Sequence, residues 1–170
     1  MPTSPVPITF EPPDRIGPLT DQEIDAFLAQ PWNARLATIT PDRTPQIVVV
    51  WYEFDPAERV FYVIARARSE YAHNIMRNPA VALHVADDIH LEHTRVAVEG
   101  AAEILAGPVA PEADPLLAAR SVALASKYMG EKGPQYGQRT MPRPRYLIKI
   151  VPRRWQTWSG QEWGARYRNG

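Results

Sequence analysis

Hydrophobic and polar residues alternate through the first half of the chain in short runs that turn residues separate. The segments RLATIT (35–40), PQIVVVWYEF (45–54) and RVFYVIA (59–65) follow one another, with PDRT and DPAE between them. Valine, isoleucine and aromatic residues in such runs are typical of half-buried strands joined by tight turns. The pattern therefore predicts a three-stranded antiparallel meander.

Three further segments have the same character, namely VALHVA (81–86), TRVAVEGAAEIL (94–105) and RYLIKIVP (145–152). Gly100 falls inside the second of them, where a glycine indicates a bulge or a close backbone approach. Six short strands, mostly antiparallel, predict a mainly β fold with the form of a small barrel.

Helical patterns lie at the periphery of these strands. Thr20 and Glu23 form a capping-box pattern before an apolar face, and Pro31 ends that helix. A short helix is predicted from Ser69 to Asn78, and Asp114 followed by Pro115 opens another that runs to about Met129. The Gly- and Pro-rich stretch 130–144 is predicted as a loop.

Composition favours one domain. The chain has 170 residues, 45% of them hydrophobic, and 19 basic residues balance 19 acidic ones, so nucleic acid is not an expected partner. No apolar run reaches membrane-spanning length, and no membrane association is expected. Residues 1–18 are proline-rich and predict an extended arm before a single domain at 19–170. The absence of cysteine fits a reducing cytoplasm.

A basic turn carries the most suggestive chemistry. The turn between a predicted strand and the next predicted helix contains Arg66, Arg68 and Ser69. Asn74 follows on that helix. Guanidinium groups beside helical N–H groups make a place for an anion, most often a phosphate. The residues alone favour a solvated turn that a serine caps, because basic turns are common.

Metal and nucleophile patterns are weak. His90 and His93, with Asp87 and Asp88 nearby, have a spacing that suits one helical turn, whereas the local sequence is typical of a loop. No metal site is therefore predicted. The sequence also lacks a Ser/His/Asp order, a P-loop and a dinucleotide-binding glycine pattern.

The order of elements and several strings resemble the pyridoxamine-phosphate-oxidase-like split-barrel superfamily, which includes FMN- and deazaflavin-dependent oxidoreductases. The strings are RLATITPDRTPQIVVVWYEFD, VFYVIARARSEYAHNIMRNPAVALHV, RVAVEGAAEI and YLIKIVPRRWQTW. The strongest is SEYAHNIMRNPAVAL, which is similar to the family's helix start followed by Asn-Pro and a strand. The family commonly has a lysine beside an arginine in the first turn of this helix, where this chain has Glu70 and Tyr71.

This resemblance implies a six-stranded split β-barrel with two to three peripheral helices. It also implies a flavin-type cofactor, FMN or alternatively coenzyme F-420, with its phosphate at the basic turn and its ring along the backbone of the second strand. The tryptophans near the C-terminus either approach the ring or fold onto their own barrel. The candidate cofactor-binding residues are Val48, Val49, Val50, Trp51, Arg66, Arg68, Ser69, Tyr71, Asn74, Trp155 and Trp158.

The resemblance further implies a homodimer with the cofactor at the interface and an oxidoreductase that transfers hydride to or from a small molecule. The cofactor ring carries the hydride, so no catalytic side chain is expected. The alternative is a split barrel that binds flavin, haem or another small ligand without turnover. The substrate does not follow from the sequence.

Overall fold

The computed structural model describes residues 14–90, 93–140 and 142–160. Its strands are β1 (Asp14–Ile16), β2 (Ala34–Ile39), β3 (Pro45–Val50), β4 (Glu53–Asp55), β5 (Val60–Arg66), β6 (Ala80–Ala86), β7 (Thr94–Val109) and β8 (Arg145–Ser159). Its α-helices are α1 (Asp21–Ala29), α2 (Glu70–Arg77), α3 (Pro115–Met129) and α4 (Gly133–Thr140).

The strands form one eight-stranded sheet in the order β3-β2-β6-β7-β8-β5-β4, and β1 adds to β8 in parallel. All other pairings are antiparallel. The two end strands, β3 and β4, are consecutive in the chain and are joined only by Trp51 and Tyr52. The sheet therefore curves round until its ends meet at this link, which is the form of a split barrel. The predicted fold class is confirmed.

The predicted strand 45–54 is interrupted at Trp51 and Tyr52, which raises the strand count above six. The backbone N–H of Tyr52 donates to the Tyr128 hydroxyl at 3.2 Å, and the Tyr52 hydroxyl donates to the Leu28 carbonyl at 3.1 Å. At Tyr52 these bonds to α3 and α1 take the place of a strand neighbour. Periodicity within one segment does not contain this information.

The last two long strands extend beyond their predicted ends. β8 continues beyond its predicted end at Pro152, and it pairs with β7 as far as Ser159. The predicted irregularity at Gly100 is confirmed by a register shift between Glu99 and Gly100. A Cβ at Gly100 would lie 2.1 Å from the Val151 carbonyl oxygen, so only glycine fits there.

The predicted caps at the starts of α1 and α3 are confirmed. Thr20 and Glu23 form a complete capping box at α1, and the Asp114 side chain accepts from the Leu117 N–H at 2.8 Å. The predicted loop 130–144 is wrong in part, because α4 occupies its middle. Gly133 allows this, since a Cβ there would lie 2.8 Å from the Ala125 carbonyl oxygen and α4 would move off α3.

Two apolar clusters hold the fold together. The larger fills the barrel with inward-facing residues of β2, β3, β5, β6, β7 and β8, and includes α1 and α2 residues. The smaller joins Leu117 of α3 to the outer face of β5 and β8, through Val60, Tyr62 and Leu147. Of the predicted arm at 1–18, residues 1–13 lie outside the described residues. Among the helices of the described ranges, none combines the length and apolar character needed to cross a bilayer.

Candidate functional site

A cavity of about 130 Å³ lies between α3, α4 and the outer face of β5 and β8. We name it the arginine cavity, because Arg66 of β5 and Arg145 of β8 line it together with Trp51 from the β3–β4 link. Residues with apolar or hydroxyl-bearing side chains complete the wall, namely Ile64, Pro111, Ser121, Leu124, Ala125, Tyr136 and Thr140. The structure thus brings together Trp51 and Arg66, two of the predicted site residues.

Arg66 and Arg145 occupy directly opposite positions in the β5–β8 register. Opposite residues on antiparallel strands have Cβ atoms about 4.5–5.5 Å apart, and like charges there are destabilising. Neither arginine forms a salt bridge with a carboxylate in the described residues. The pair is therefore a concentration of positive charge that a bound anion would relieve.

Arg145 is only partly exposed, so water solvates its charge incompletely. Burial lowers its pKa, and the guanidinium groups of Arg66 and Arg143 act in the same direction. An arginine keeps its proton over the whole accessible pH range, so the lowered pKa expresses how poorly its charge is compensated. Two fork-shaped donors at this point match the geometry of a phosphate or carboxylate.

Trp51 supplies a flat aromatic wall. Its ring stacks on Tyr128 of α3 with centroids 4.8 Å apart and an interplanar angle of 4°. Tyr136 of α4 lies 5.6 Å from the Trp51 centroid and is tilted by 53°. An aromatic surface next to paired guanidinium groups suits a ligand that combines a planar ring with an anionic group.

The first turn of α2 contains Glu70 and Tyr71, where the family commonly has a lysine beside an arginine. The Glu70 carboxylate accepts from the Gln46 side-chain amide at 2.8 Å, which directs it toward β3. The Tyr71 hydroxyl donates to the Ile64 carbonyl at 3.4 Å, and burial raises the Tyr71 pKa. Because Glu70 is bonded to Gln46, it forms no ion pair with Arg66 or Arg68 among the described residues.

The other residues of the basic turn are placed as follows. The Ser69 hydroxyl accepts from the Arg66 N–H at 3.1 Å and closes the turn. Arg68 is exposed and does not line the arginine cavity. Asn74 is fully buried and donates to the Thr38 hydroxyl at 3.2 Å and to the Gln46 side chain at 2.9 Å. Asn74 therefore ties α2 to β2 and β3.

The predicted strand residues divide between the two faces of β3. Val48 and Val50 face the core, whereas Val49 is 62% exposed on the outer face. β3 pairs only with β2 in the described sheet, so one edge of its backbone is open. Such an edge offers the alternating N–H and carbonyl groups that a heteroaromatic ring can bond.

The two tryptophans of β8 lie in different environments. Trp155 is buried in the barrel core, where Phe61 is 5.7 Å away and the Arg59 guanidinium carbon lies 4.9 Å from its ring centroid. Trp158 is on the opposite face of β8 and lies across from Arg95 of β7. The two side chains are thus not part of one wall, and neither lines the arginine cavity.

Sequence reasoning missed the contribution of Arg145 and of the helices α3 and α4. Arg145 begins a strand that the sequence predicts, but its place opposite Arg66 depends on the pairing of strands about 80 residues apart. Tyr136 and Thr140 come from the segment interpreted as a loop. In the described part of the chain, no group of three or more potential metal ligands occurs.

Comparison with known proteins decides the family. The profile of the pyridoxamine 5'-phosphate oxidase family matches residues 20–159. The chain belongs to this family. The match covers both strands that contribute the paired arginines, and it includes α3 and α4. No curated protein matches the chain.

Solved structures that are more than 25% identical to the chain over the aligned residues include a mycobacterial protein and a reductase. The conserved hypothetical protein Rv2991 from Mycobacterium tuberculosis is 28% identical with a TM-score of 0.70, and the match covers 86% of this chain and 89% of that one. A protein described as F420 reductase is 26% identical with a TM-score of 0.57, over 77% of this chain and 94% of that one.

More distant relatives have the same fold. The haem storage protein HutZ from Vibrio cholerae is 18% identical with a TM-score of 0.57, covering 77% of this chain and 88% of that one. An FAD-binding protein from Mesorhizobium loti is 17% identical with a TM-score of 0.57, covering 81% and 90%. At this identity the likeness concerns the fold alone.

Proposed function

We propose that the protein is an oxidoreductase that binds a flavin-type cofactor, FMN or alternatively coenzyme F-420, and transfers hydride to or from a small molecule. The observation that carries this proposal is the Arg66–Arg145 pair beside Trp51 in the arginine cavity. Family membership supports it, and so does the 26% identity to a protein described as F420 reductase.

In this proposal Arg66 and Arg145 hold the phosphate. Each guanidinium donates two parallel hydrogen bonds to oxygen, and charge-assisted bonds of this kind contribute about 1.5–3 kcal/mol each. The anion also removes the repulsion between the two cations. Arg68, which is exposed at the same turn, strengthens the local positive potential, and Ser69 fixes the turn through the Arg66 N–H.

Trp51 and the open edge of β3 orient the ring. Some backbone N–H and carbonyl groups of β3 do not bond β2 and lie on its open edge. In this proposal those of Val48, Val49 and Val50 form hydrogen bonds to the cofactor ring. When bound, a flavin-type ring supplies the hydride chemistry, and the chain supplies anchoring, orientation and exclusion of water. No side chain is assigned a proton-transfer role.

A second copy of the chain completes the site in this proposal. The arginine cavity is smaller than the about 300–1,000 Å³ of complete small-molecule sites, so one chain encloses only part of the cofactor. On the outer face of β2, β3, β6 and β7, Ile47 is 69% exposed and Val49 is 62% exposed. Alanines of the neighbouring strands complete this apolar face. Grooves of about 650 and 610 Å³ run along this face.

We therefore propose a homodimer that buries this face and brings Trp158 of one copy toward the cofactor of the other. Isologous pairing through a self-complementary apolar face is the commonest arrangement among oligomers. We place the protein in the cytoplasm, where reduced nicotinamide donors are available to reload the cofactor.

Absorbance of the purified protein tests the proposed function. A band in the blue that is bleached by a nicotinamide donor and restored by an oxidant supports the enzyme. A Soret-type band assigns the protein to the haem-binding alternative. A protein without a chromophore that also fails to take up added FMN or F-420 contradicts the proposal.

A further inference from the structure

Tyr128, at the end of α3, covers one face of Trp51. The two rings are almost parallel, with 4° between their planes and 4.8 Å between their centroids. Trp51 and Tyr52 form the only link between the two end strands of the sheet, and neither belongs to a strand. The orientation of Trp51 is therefore determined by what packs against it and not by a strand register.

The Tyr128 hydroxyl fixes that packing. It donates to the Trp32 carbonyl at 2.8 Å and accepts from the Tyr52 N–H at 3.2 Å. One hydroxyl thus joins α3 to the segment before β2 and to the link itself. Burial raises the Tyr128 pKa to about 12, so the hydroxyl keeps its proton and its donor function at any physiological pH.

Lys127 fixes the same link from the neighbouring position. Its ammonium group donates to the Leu28 carbonyl at 2.8 Å and to the Tyr52 carbonyl at 3.3 Å. It also lies 3.8 Å from the centroid of the Tyr52 ring. The end of α3 therefore bonds both backbone polar groups of Tyr52, the residue next to Trp51.

We propose that Tyr128 is a positioning residue for the cofactor ring, acting through Trp51, with Lys127 holding the backbone of the link. Tyr128 does not line the arginine cavity, whereas Trp51 does. The inference rests on the proposed function, because the ligand that Trp51 orients is the cofactor. It extends that function by assigning α3 the task of presenting the aromatic wall.

Three variants of α3 test this inference by FMN titration. Tyr128→Leu removes both the stack and the hydroxyl, and we expect an FMN Kd about 3- to 10-fold higher, the range for an aromatic pair. Tyr128→Phe keeps the stack and loses the hydroxyl, so its Kd falls between the Tyr128→Leu and natural values. The control is Val122→Ala, at a position 56% exposed on the same helix, which leaves Kd unchanged.

Near-ultraviolet circular dichroism without cofactor gives an independent readout. A parallel Trp–Tyr stack contributes to the aromatic signal, so Tyr128→Leu and Trp51→Phe should each change it, whereas Val122→Ala should not. A Tyr128→Leu protein with natural Kd and natural aromatic signal overturns the inference. If Tyr128→Leu does not fold, an unchanged Kd and spectrum for Tyr128→Phe overturn it.

The two measurements separate this inference from the proposed function. If the natural protein binds neither FMN nor F-420, the proposed function fails. The cofactor role of Tyr128 then fails with it, even where the dichroism change in Tyr128→Leu shows that Tyr128 packs on Trp51.

Discussion

Arg66 and Arg145 lie directly opposite each other on neighbouring antiparallel strands, and no described carboxylate pairs with either. Both line the arginine cavity beside Trp51. Two adjacent cations at one end of a strand pair repel each other, and a bound anion would relieve that repulsion. This relationship is the physical basis of the proposed phosphate site.

Inorganic phosphate should stabilise the protein through this pair. A ligand that binds only the folded state raises the melting temperature with concentration, so phosphate should raise it for the natural protein. Arg145→Gln should abolish most of that rise, and without phosphate it should be as stable as the natural protein or up to about 1 kcal/mol more stable. Differential scanning calorimetry measures both effects.

The matched control is Arg153→Gln, because Arg153 is an exposed arginine of the same strand that does not line the arginine cavity. It should keep the full phosphate response. If Arg145→Gln responds to phosphate as the natural protein does, the anion does not bind between the two arginines.

Glu70 should have little effect on the cofactor. Its carboxylate accepts from the side-chain amide of Gln46 on β3 and forms no described ion pair with either paired arginine. Glu70→Gln keeps an oxygen acceptor for Gln46 and removes the charge. We expect its FMN Kd, from fluorescence quenching, to stay within about 2-fold of the natural value, since exposed charges contribute little. If Glu70→Gln instead bound FMN at least tenfold more tightly than the natural protein, the Glu70 carboxylate would lie beside the phosphate.

Much of the fold follows from local pattern. Strand segments, the capping box at Thr20 and Glu23, and the Asp114–Pro115 helix start depend on neighbours in sequence, and the structure confirms them. The interruption at Trp51 and Tyr52 was not predictable, because it arises from hydrogen bonds to α3 and α1.

Only part of the site was predictable from the sequence. Arg66 and Trp51 stand out through the basic turn and the family resemblance. Arg145 joins them through a strand pairing that no local periodicity encodes, and Tyr136 joins them because α4 packs on α3 at Gly133. Long-range pairing and close helix contact decide the rest.

Trp155 should matter for stability and not for cofactor affinity. It is 3% exposed and packs on Phe61 and under the Arg59 guanidinium, which also pairs with Asp25. Trp155→Phe should lower the free energy of unfolding by about 1–3 kcal/mol, measured in urea, because it leaves a cavity in the core. Its FMN Kd should be unchanged. A large rise in Kd with little loss of stability would instead make Trp155 a ring neighbour.

Acid should weaken the proposed dimer through His84, which lies on the outer face of β6. Burial lowers its pKa below the ordinary 6.5, and Arg35 and Arg95 lower it further. A dimer that buries this face would lower the His84 pKa further, so the separate chain would take up the proton first. The dimer would therefore weaken as the pH falls through the lowered pKa of the separate chain. The dimer Kd from sedimentation equilibrium should rise between pH 7 and pH 5.

His84→Gln should flatten this pH dependence, whereas His73→Gln, on α2, should preserve it. A dimer whose Kd shows the same pH dependence with and without His84 would use a different face.

The most direct test is the equilibrium Kd of FMN, and in parallel of F-420, for charge reversals at three arginines. Arg66→Glu and Arg145→Glu should each raise the Kd of the preferred cofactor by about 100-fold or more, since each replaces a charge-assisted pair with repulsion. Arg43→Glu, in the exposed β2–β3 turn, should leave Kd within about 2-fold. Equal values for all three variants, or no binding of either cofactor to the natural protein, would contradict the proposed phosphate site.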